Sequence, residues 1–136
     1  MGSTVGDVDG DGDLDWFVTS IFETAEPFRN GNRLFLNQGN RQFTDATDSA
    51  GLREGGWGWG AAFHDHDNDG DLDLVEANGQ HFDTPFLAPS SAGYEANPVK
   101  FWENDGTGVF TENAASLGLT DLGSGKGVLT FDYDND

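Results

Sequence analysis

Two segments of the chain carry aspartate at alternate positions, and this pattern limits the folds that the chain can adopt. The segments are GDVDGDGDLDWF (6–17) and HDHDNDGDLDLV (64–75), and FDYDND (131–136) begins the pattern a third time. These windows hold 13 of the 25 acidic residues, in a chain of formal net charge −19. A solubilising acidic surface shows a run or a scatter of charges, whereas clustered carboxylates repel one another unless a cation neutralises them. The pattern therefore predicts cation sites.

The bulk composition excludes several classes of protein. A strongly negative chain repels nucleic acid, so we expect no nucleic-acid partner. No apolar run approaches the length of a membrane span, the first residues do not resemble a signal peptide, and the absence of cysteine excludes disulfides and thiolate metal sites. Twenty glycines among 136 residues disfavour long helices and are typical of turn-rich β structure.

The chain contains an internal repeat with an offset of 67 residues. The segment NRLFLNQGNRQFTDATDSAGL (32–52) aligns with VKFWENDGTGVFTENAASLGL (99–119), and Asp65 aligns with Asp132. The spacing from Asp7 to Asp65 is 58, so the second unit has nine extra residues within the Gly/Pro/Ser-rich segment 78–98. Repeats of this length indicate a modular architecture.

Each unit reads as four short strands, labelled A to D, with the Asp-rich segment between A and B. Short runs of aromatic and β-branched residues bounded by Gly, Asn and Asp predict strands, and helical turns are expected only near 46–52 and 113–119. We therefore predict an all-β fold of β-propeller-type blades, each of four antiparallel strands, with a β-solenoid as the alternative. The expected division is blade 1 (1–54), blade 2 (55–121) with its insertion 78–98, and strand A with a partial loop of a third blade (122–136).

The Asp-rich segments have the ligand spacing of a calcium loop. Oxygen ligands at positions 1, 3, 5 and 9, a carbonyl at position 7 and a glycine at position 6 are typical of calcium loops. The predicted loops are 7–15 and 65–73, with an apolar residue at position 8 (Leu14, Leu72) expected to anchor each loop to the core. Magnesium prefers fewer protein ligands, and zinc prefers Cys and His. The predicted metal ligands are Asp7, Asp9, Asp11, Asp13 and Asp15, then Asp65, Asp67, Asp69, Asp71 and Asp73, then Asp132, Asp134 and Asp136.

An EF-hand or a dockerin is the main rival for these loops. An EF-hand requires flanking helices and a glutamate at position 12. Position 12 is Val18 in the first loop and Glu76 in the second. The glycine-rich segment EGGWGWGAAFH (54–64) before the second loop disfavours a helix, so we expect strands on both sides.

The same residues resemble a known family. VGDVDGDGDLDWFVTS, NRLFLNQGNRQFTDAT and GWGAAFHDHDNDGDLDLVEANG are similar to the FG-GAP/VCBS repeats of integrin-α-type β-propellers. The resemblance implies that the calcium loop joins strands A and B of a blade and that Asp15 and Asp73 bind the ion directly. It also implies an extracellular or cell-surface location and a role in adhesion, ligand binding or structure.

Such propellers have more blades than this sequence carries, and radial closure requires several. We therefore expect either that further blades belong to the same chain or that copies associate head to tail as a ring or a filament.

Some residues outside the loops are weaker candidates. His64 and His66 flank the second loop, where we favour non-ligand positions over a transition-metal site. GSGKG (123–127) lacks the full phosphate-loop pattern and is interpreted as a turn. The candidate ligand-binding aromatic residues are Trp57 and Trp59, for which we favour packing between blades, and Phe82, Phe86 and Tyr94 in the insertion, which could equally fold back on their own blade.

No catalytic motif is recognisable in the sequence, and we predict that the chain is not an enzyme. The expected function is a calcium-stabilised repeat module with a structural, adhesion or ligand-binding role, whose partner is a protein or a glycan. Two alternatives are a self-assembling ring or filament of a cell-surface structure and a non-catalytic part of a polysaccharide-active enzyme.

Overall fold

The structure is a computed structural model that describes residues 1–23, 30–79 and 97–133. The described residues form two four-stranded antiparallel sheets and contain no helix, which confirms the prediction of all-β blades. In both sheets the strands lie in chain order, each paired with the next. Blade 1 consists of β1 (Ser3–Gly6), β2 (Asp15–Val18), β3 (Arg33–Asn37) and β4 (Phe43–Asp45). Blade 2 consists of β5 (Ala61–His64), β6 (Asp73–Glu76), β7 (Lys100–Asn104) and β8 (Phe110–Glu112).

The core lies between the two blades. Phe17 and Leu34 project from blade 1 and are fully buried against the facing side of blade 2, where Leu74 and Trp102 are also buried. The rings of Phe17 and Phe63 lie 6.2 Å apart across this interface. Because successive residues of a strand point to opposite faces, each sheet contributes one row of apolar side chains to this core.

Each blade ends in a tight turn after its fourth strand, as the sequence predicts. In blade 1 the Leu52 N–H donates to the Thr47 carbonyl and the Gly51 N–H to the Asp48 carbonyl, with Gly51 at φ +76°. This is the Schellman arrangement, in which a left-handed glycine closes a helical turn. Blade 2 repeats both hydrogen bonds around Gly118. The repeated Gly-Leu pair therefore marks a shared structural feature.

The described residues 122–133 form no strand, so the predicted third strand A stays a prediction. Val128 packs beside a small apolar cluster on the outer face of blade 2, formed by Val75, Phe101 and Ala114. Backbone pairing makes a strand, and this segment lies beside no described strand that pairs with it. The limits of the three units remain predictions.

No helix among the described residues is long and apolar enough to cross a membrane.

Candidate metal centres

The two Asp-rich loops occupy the same place in both blades, as hairpin connections between the first and second strands. Their first aspartates organise the backbone of each loop. Asp7 accepts hydrogen bonds from the Asp11 N–H (3.1 Å) and the Gly12 N–H (2.9 Å), and Asp65 accepts the equivalent pair from Asp69 and Gly70. Gly12 (φ +90°) and Gly70 (φ +97°) adopt a conformation that side chains disfavour. The glycine at position 6 is thus required by the turn.

Within each loop three carboxylates converge. Asp7, Asp9 and Asp15 each place an oxygen within 4.8 Å of the others, and so do Asp65, Asp67 and Asp69. Positions 1 and 3 belong to both clusters, whereas position 9 completes the first and position 5 the second. The remaining predicted ligands of these loops lie outside the converging sets: Asp11, Asp13, Asp71 and Asp73.

The aspartates at position 9 lie under the loops rather than on their surface. Asp15 is fully buried, and its carboxylate accepts hydrogen bonds from the Val8 N–H (2.9 Å) and the Asn37 N–H (2.8 Å). Asp73 is 3% exposed and accepts from the His66 N–H (3.0 Å) and the Asn104 N–H (2.9 Å). Both residues therefore join their loop to the third strand of the same blade.

The electrostatics of the first loop disfavour full ionisation of Asp9 and Asp15 when no cation is bound. Burial raises the pKa of Asp9, and the neighbouring Asp11 and Asp7 carboxylates raise it further. Burial also raises the pKa of Asp15 despite its two backbone hydrogen bonds. A cation that converts these carboxylates to ligands removes the repulsion.

Asn37 and Asn104 also support the loops, and sequence reasoning assigned them no role. Asn104 Nδ2 donates to the carbonyls of Val8 (2.8 Å) and Leu72 (3.1 Å), so this residue contacts both loops. Its Oδ1 accepts from the N–H groups of Gly106 and Gly108 in the turn that follows. Asn37 donates to the carbonyl of Leu14 in blade 1. The sequence signal that could have identified them is that Asn37 and Asn104 align at the repeat offset of 67.

The expectation that Leu14 anchors its loop to the core is wrong, because Leu14 is 61% exposed. Leu72, the equivalent residue of blade 2, is partly buried and packs against the core. A Cβ atom built on Gly6 would lie 2.6 Å from Leu72 Cδ1, so this leucine fits closely over the first strand of blade 1. Leu14 has no such neighbouring strand among the described residues.

The third predicted loop is described only in part. Asp134 and Asp136 lie outside the described residues. Asp132 is exposed and lines a cleft of about 380 Å³ together with His64, Asp65 and His66. The described residues thus place Asp132 beside the second loop, and the third loop stays a prediction.

The two histidines pack against an aromatic side chain. The rings of His64 and His66 lie 5.8 and 5.1 Å from the ring of Phe101, in edge-to-face arrangements. His66 takes the place of Val8, since both backbone N–H groups donate to the aspartate at position 9. Neither histidine belongs to the converging sets of possible metal ligands.

Trp57 and Trp59 precede strand β5 and are half-buried at the junction of the blades. Trp57 forms an isolated bridge with Ile21, and its backbone N–H donates to Asn97 Oδ1. The Trp59 indole N–H donates to the Gly79 carbonyl, and Lys126 Nζ lies 3.9 Å from the ring centroid. The other aromatic candidates, Phe82, Phe86 and Tyr94, lie outside the described residues.

The FG-GAP-like repeat family matches residues 7–76, which is just over half of the chain and includes both loops. The chain belongs to the FG-GAP-like repeat family. A comparison with curated proteins finds no match. FG-GAP-like repeats are generally structural or ligand-binding modules without catalytic activity, and the two four-stranded sheets agree with blades of this type.

An EF-hand is inconsistent with strands on both sides of each loop.

Proposed function

We propose that this FG-GAP-like repeat is a calcium-stabilised module with a structural, adhesion or ligand-binding role at the cell surface or outside the cell. The observation that carries the proposal is the convergence of three carboxylates at the same hairpin of both blades. Calcium prefers oxygen ligands and tolerates irregular geometry, so these residues fit it better than zinc or magnesium. Repeats of this family often bind calcium, which agrees with the donor set.

Different residues of this chain would have different roles in such a site. Asp7 and Asp9 in blade 1, with their counterparts in blade 2, would bind the ion through side-chain oxygens. The buried carboxylate of Asp15 uses one lone pair of each oxygen for the backbone and retains others that can face an ion. The bound ion would supply the positive charge that the loops lack. Its role is structural, since it would fix each hairpin and, through Asn104, the contact between blades.

Thermal unfolding by circular dichroism in excess calcium, in excess magnesium and in EDTA tests this proposal. We expect a higher melting temperature in calcium than in either other condition, because only calcium matches the size and ligand number of the loops. Equal melting temperatures in all three conditions would overturn the proposal.

Variants separate ligands from other acidic residues. Asp9→Asn and Asp67→Asn remove one charged ligand from each loop with little change of shape, and each should weaken calcium binding in isothermal titration calorimetry. Glu54→Gln is the control, because Glu54 is exposed and lies outside the loops. If Glu54→Gln reduced calcium affinity as much as Asp9→Asn, the effect would reflect net charge rather than ligation.

Self-assembly is a second candidate function, and one observation favours it. Val5, Trp16 and Phe35 form a cross-strand row on the outer face of blade 1, where Val5 is 59% and Trp16 45% exposed. The equivalent row of blade 2 is covered by blade 1: Phe63, Leu74 and Trp102. We propose that a second copy covers the exposed row with the outer face of its blade 2, in the geometry of the internal interface.

Sedimentation velocity over a range of concentrations in excess calcium tests the self-assembly. We expect concentration-dependent association that Trp16→Ser abolishes. The control is Val109→Ser, because Val109 is equally exposed but lies in a turn of blade 2, away from this row. A mass of one chain at all concentrations would exclude assembly while leaving the calcium proposal intact.

A further inference from the structure

A buried carboxyl group lies between the blades, at the end of β6 that is opposite to the metal loop. Glu76 is fully buried, and its Oε2 accepts a hydrogen bond of 2.6 Å from Asn32 Nδ2 in blade 1. The equivalent residue of blade 1 is Val18, which shows that the strand itself does not require a carboxyl group here. Glu76 is therefore explained by its contact with blade 1 at the junction of the two blades.

The second oxygen of this carboxyl group lacks a hydrogen-bond partner. Among the described residues, neither Glu76 Oε1 nor the two side-chain polar atoms of Asn78 make a hydrogen bond. Asn78 is 2% exposed, and its side chain lies near enough to the carboxyl group to influence it. Buried polar groups are rarely left unpaired, so three such atoms at one place indicate a missing ligand.

The space around Oε1 is too small for a metal ion with its ligands. A Cβ atom built on Gly55 or on Gly58 would lie 2.5 Å from Glu76 Oε1, so the backbone of both glycines closes over this oxygen. A calcium ion needs six to eight oxygen ligands, whereas the unpartnered oxygens here are Glu76 Oε1 and Asn78 Oδ1. A proton on Oε1, by contrast, fits within the distance of an ordinary hydrogen bond between two oxygens.

The surrounding charges do not stabilise an ionised carboxylate. Lys100 stands opposite Glu76 in the pairing of β6 with β7, but it is the weakest of the influences on the carboxyl group. Asn32 and Thr19, on the blade 1 side, carry no charge, and neither does Ala61, which pairs with Glu76 from β5. In the linker, Arg53 pairs with Asp48. Burial is the dominant influence, and it raises the pKa of Glu76 to about 8 despite the lowering influence of the nearby Asn32 and Asn78 side chains.

We propose that Glu76, at the junction of the two blades, is a neutral carboxylic acid that binds a proton on Oε1 and donates it in a hydrogen bond to Asn78 Oδ1. One proton pairs both unpartnered oxygens at once, and Oε2 keeps its hydrogen bond from Asn32. The junction of the blades is therefore a proton-binding site, separate from the metal loops.

The proton site makes the junction sensitive to pH in a direction opposite to that of the loops. Because the pKa of Glu76 is higher in the folded state than the ordinary value of 4.5, its proton stabilises the fold fully below pH 4.5. This stabilisation is lost progressively as the pH rises from 4.5 to about 8. Carboxylates that bind a cation behave in the reverse manner, because acid protonates them and releases the ion.

The direct test follows the Glu76 carboxyl carbon by NMR in the intact, ¹³C-labelled chain with excess calcium, from pH 4.5 to pH 9. We expect the Glu76 resonance to titrate with a midpoint near 8, while Glu54, which is exposed, serves as the internal reference. A Glu76 midpoint near 4.5 would show an ionised carboxylate at neutral pH and would overturn the proposal.

Glu76→Gln provides an independent test, because the amide mimics the neutral acid and its N–H donates to Asn78 Oδ1 in place of the carboxylic O–H. In urea denaturation with excess calcium, we expect the parent protein to lose stability between pH 6 and pH 9 relative to this variant. Glu54→Gln should keep the pH profile of the parent. Parallel profiles for the parent and Glu76→Gln would contradict the proposal, and the NMR titration decides the matter if the variant does not fold.

Discussion

Asn104 Nδ2 donates a hydrogen bond of 2.8 Å to the backbone carbonyl of Val8, which lies 96 positions earlier in the chain. The donor ends the third strand of blade 2, and the acceptor belongs to the metal loop of blade 1. Because the same amide also donates to Leu72, a single side chain ties the two loops together. The loops are therefore part of the interface between the blades.

Asn104→Ala should destabilise the protein more than Asn37→Ala. Asn104 is buried and its loss leaves buried carbonyls unpaired, which costs about 1 to 3 kcal/mol. Asn37 occupies the equivalent position of blade 1, and among the described residues its Nδ2 donates only to the exposed carbonyl of Leu14 in its own blade. Urea denaturation of both variants in excess calcium measures the difference, and equal losses would show that the contact between blades contributes little.

Asp15→Asn should destabilise the protein both with calcium and in EDTA. The buried carboxylate accepts two backbone hydrogen bonds, and an amide offers only one acceptor atom, so we expect a loss of about 1.5 to 3 kcal/mol. Asp9→Asn is the matched variant, because Asp9 lies in the same cluster but is not buried. It should lower the melting temperature in calcium and leave it nearly unchanged in EDTA. Similar behaviour of both variants in EDTA would mean that Asp15 has no structural role of its own.

Much of this arrangement was predictable from the sequence. Alternation around Phe17 and Leu34 and the repeat at an offset of 67 predict the strands and their number, because both depend on local patterns. The roles of Asn104 and Glu76 were not predictable, because each depends on a contact between residues far apart in the chain. Leu14 shows the same limit, since position 8 of a loop is buried only where a neighbouring strand covers it.

Gly12→Ala and Gly70→Ala should each cost about 1 to 2 kcal/mol of stability, because an alanine resists the left-handed backbone that the loops require. Nothing lies within 4 Å of a Cβ atom at either position, so strain rather than collision causes the loss. Gly127→Ala is the control, because this glycine is equally open and does not have a positive φ. Thermal melts of the three variants test the prediction, and a loss for Gly127→Ala of the same size would contradict it.

Leu74→Ala and Trp16→Ala replace residues at the same position of the two blades and should differ strongly. Leu74 is fully buried between the blades, so its truncation leaves a cavity and costs about 2 to 5 kcal/mol. Trp16 is 45% exposed and stacks on Phe35 at 5.8 Å, so its truncation costs about 1 kcal/mol in the isolated chain. Urea denaturation at low protein concentration compares the two.

At high concentration a second copy that covers the Trp16 row would raise the cost of Trp16→Ala toward that of Leu74→Ala. A cost that stays the same at all concentrations would mean that no copy binds there, so this pair of variants measures the interface by its contribution to stability.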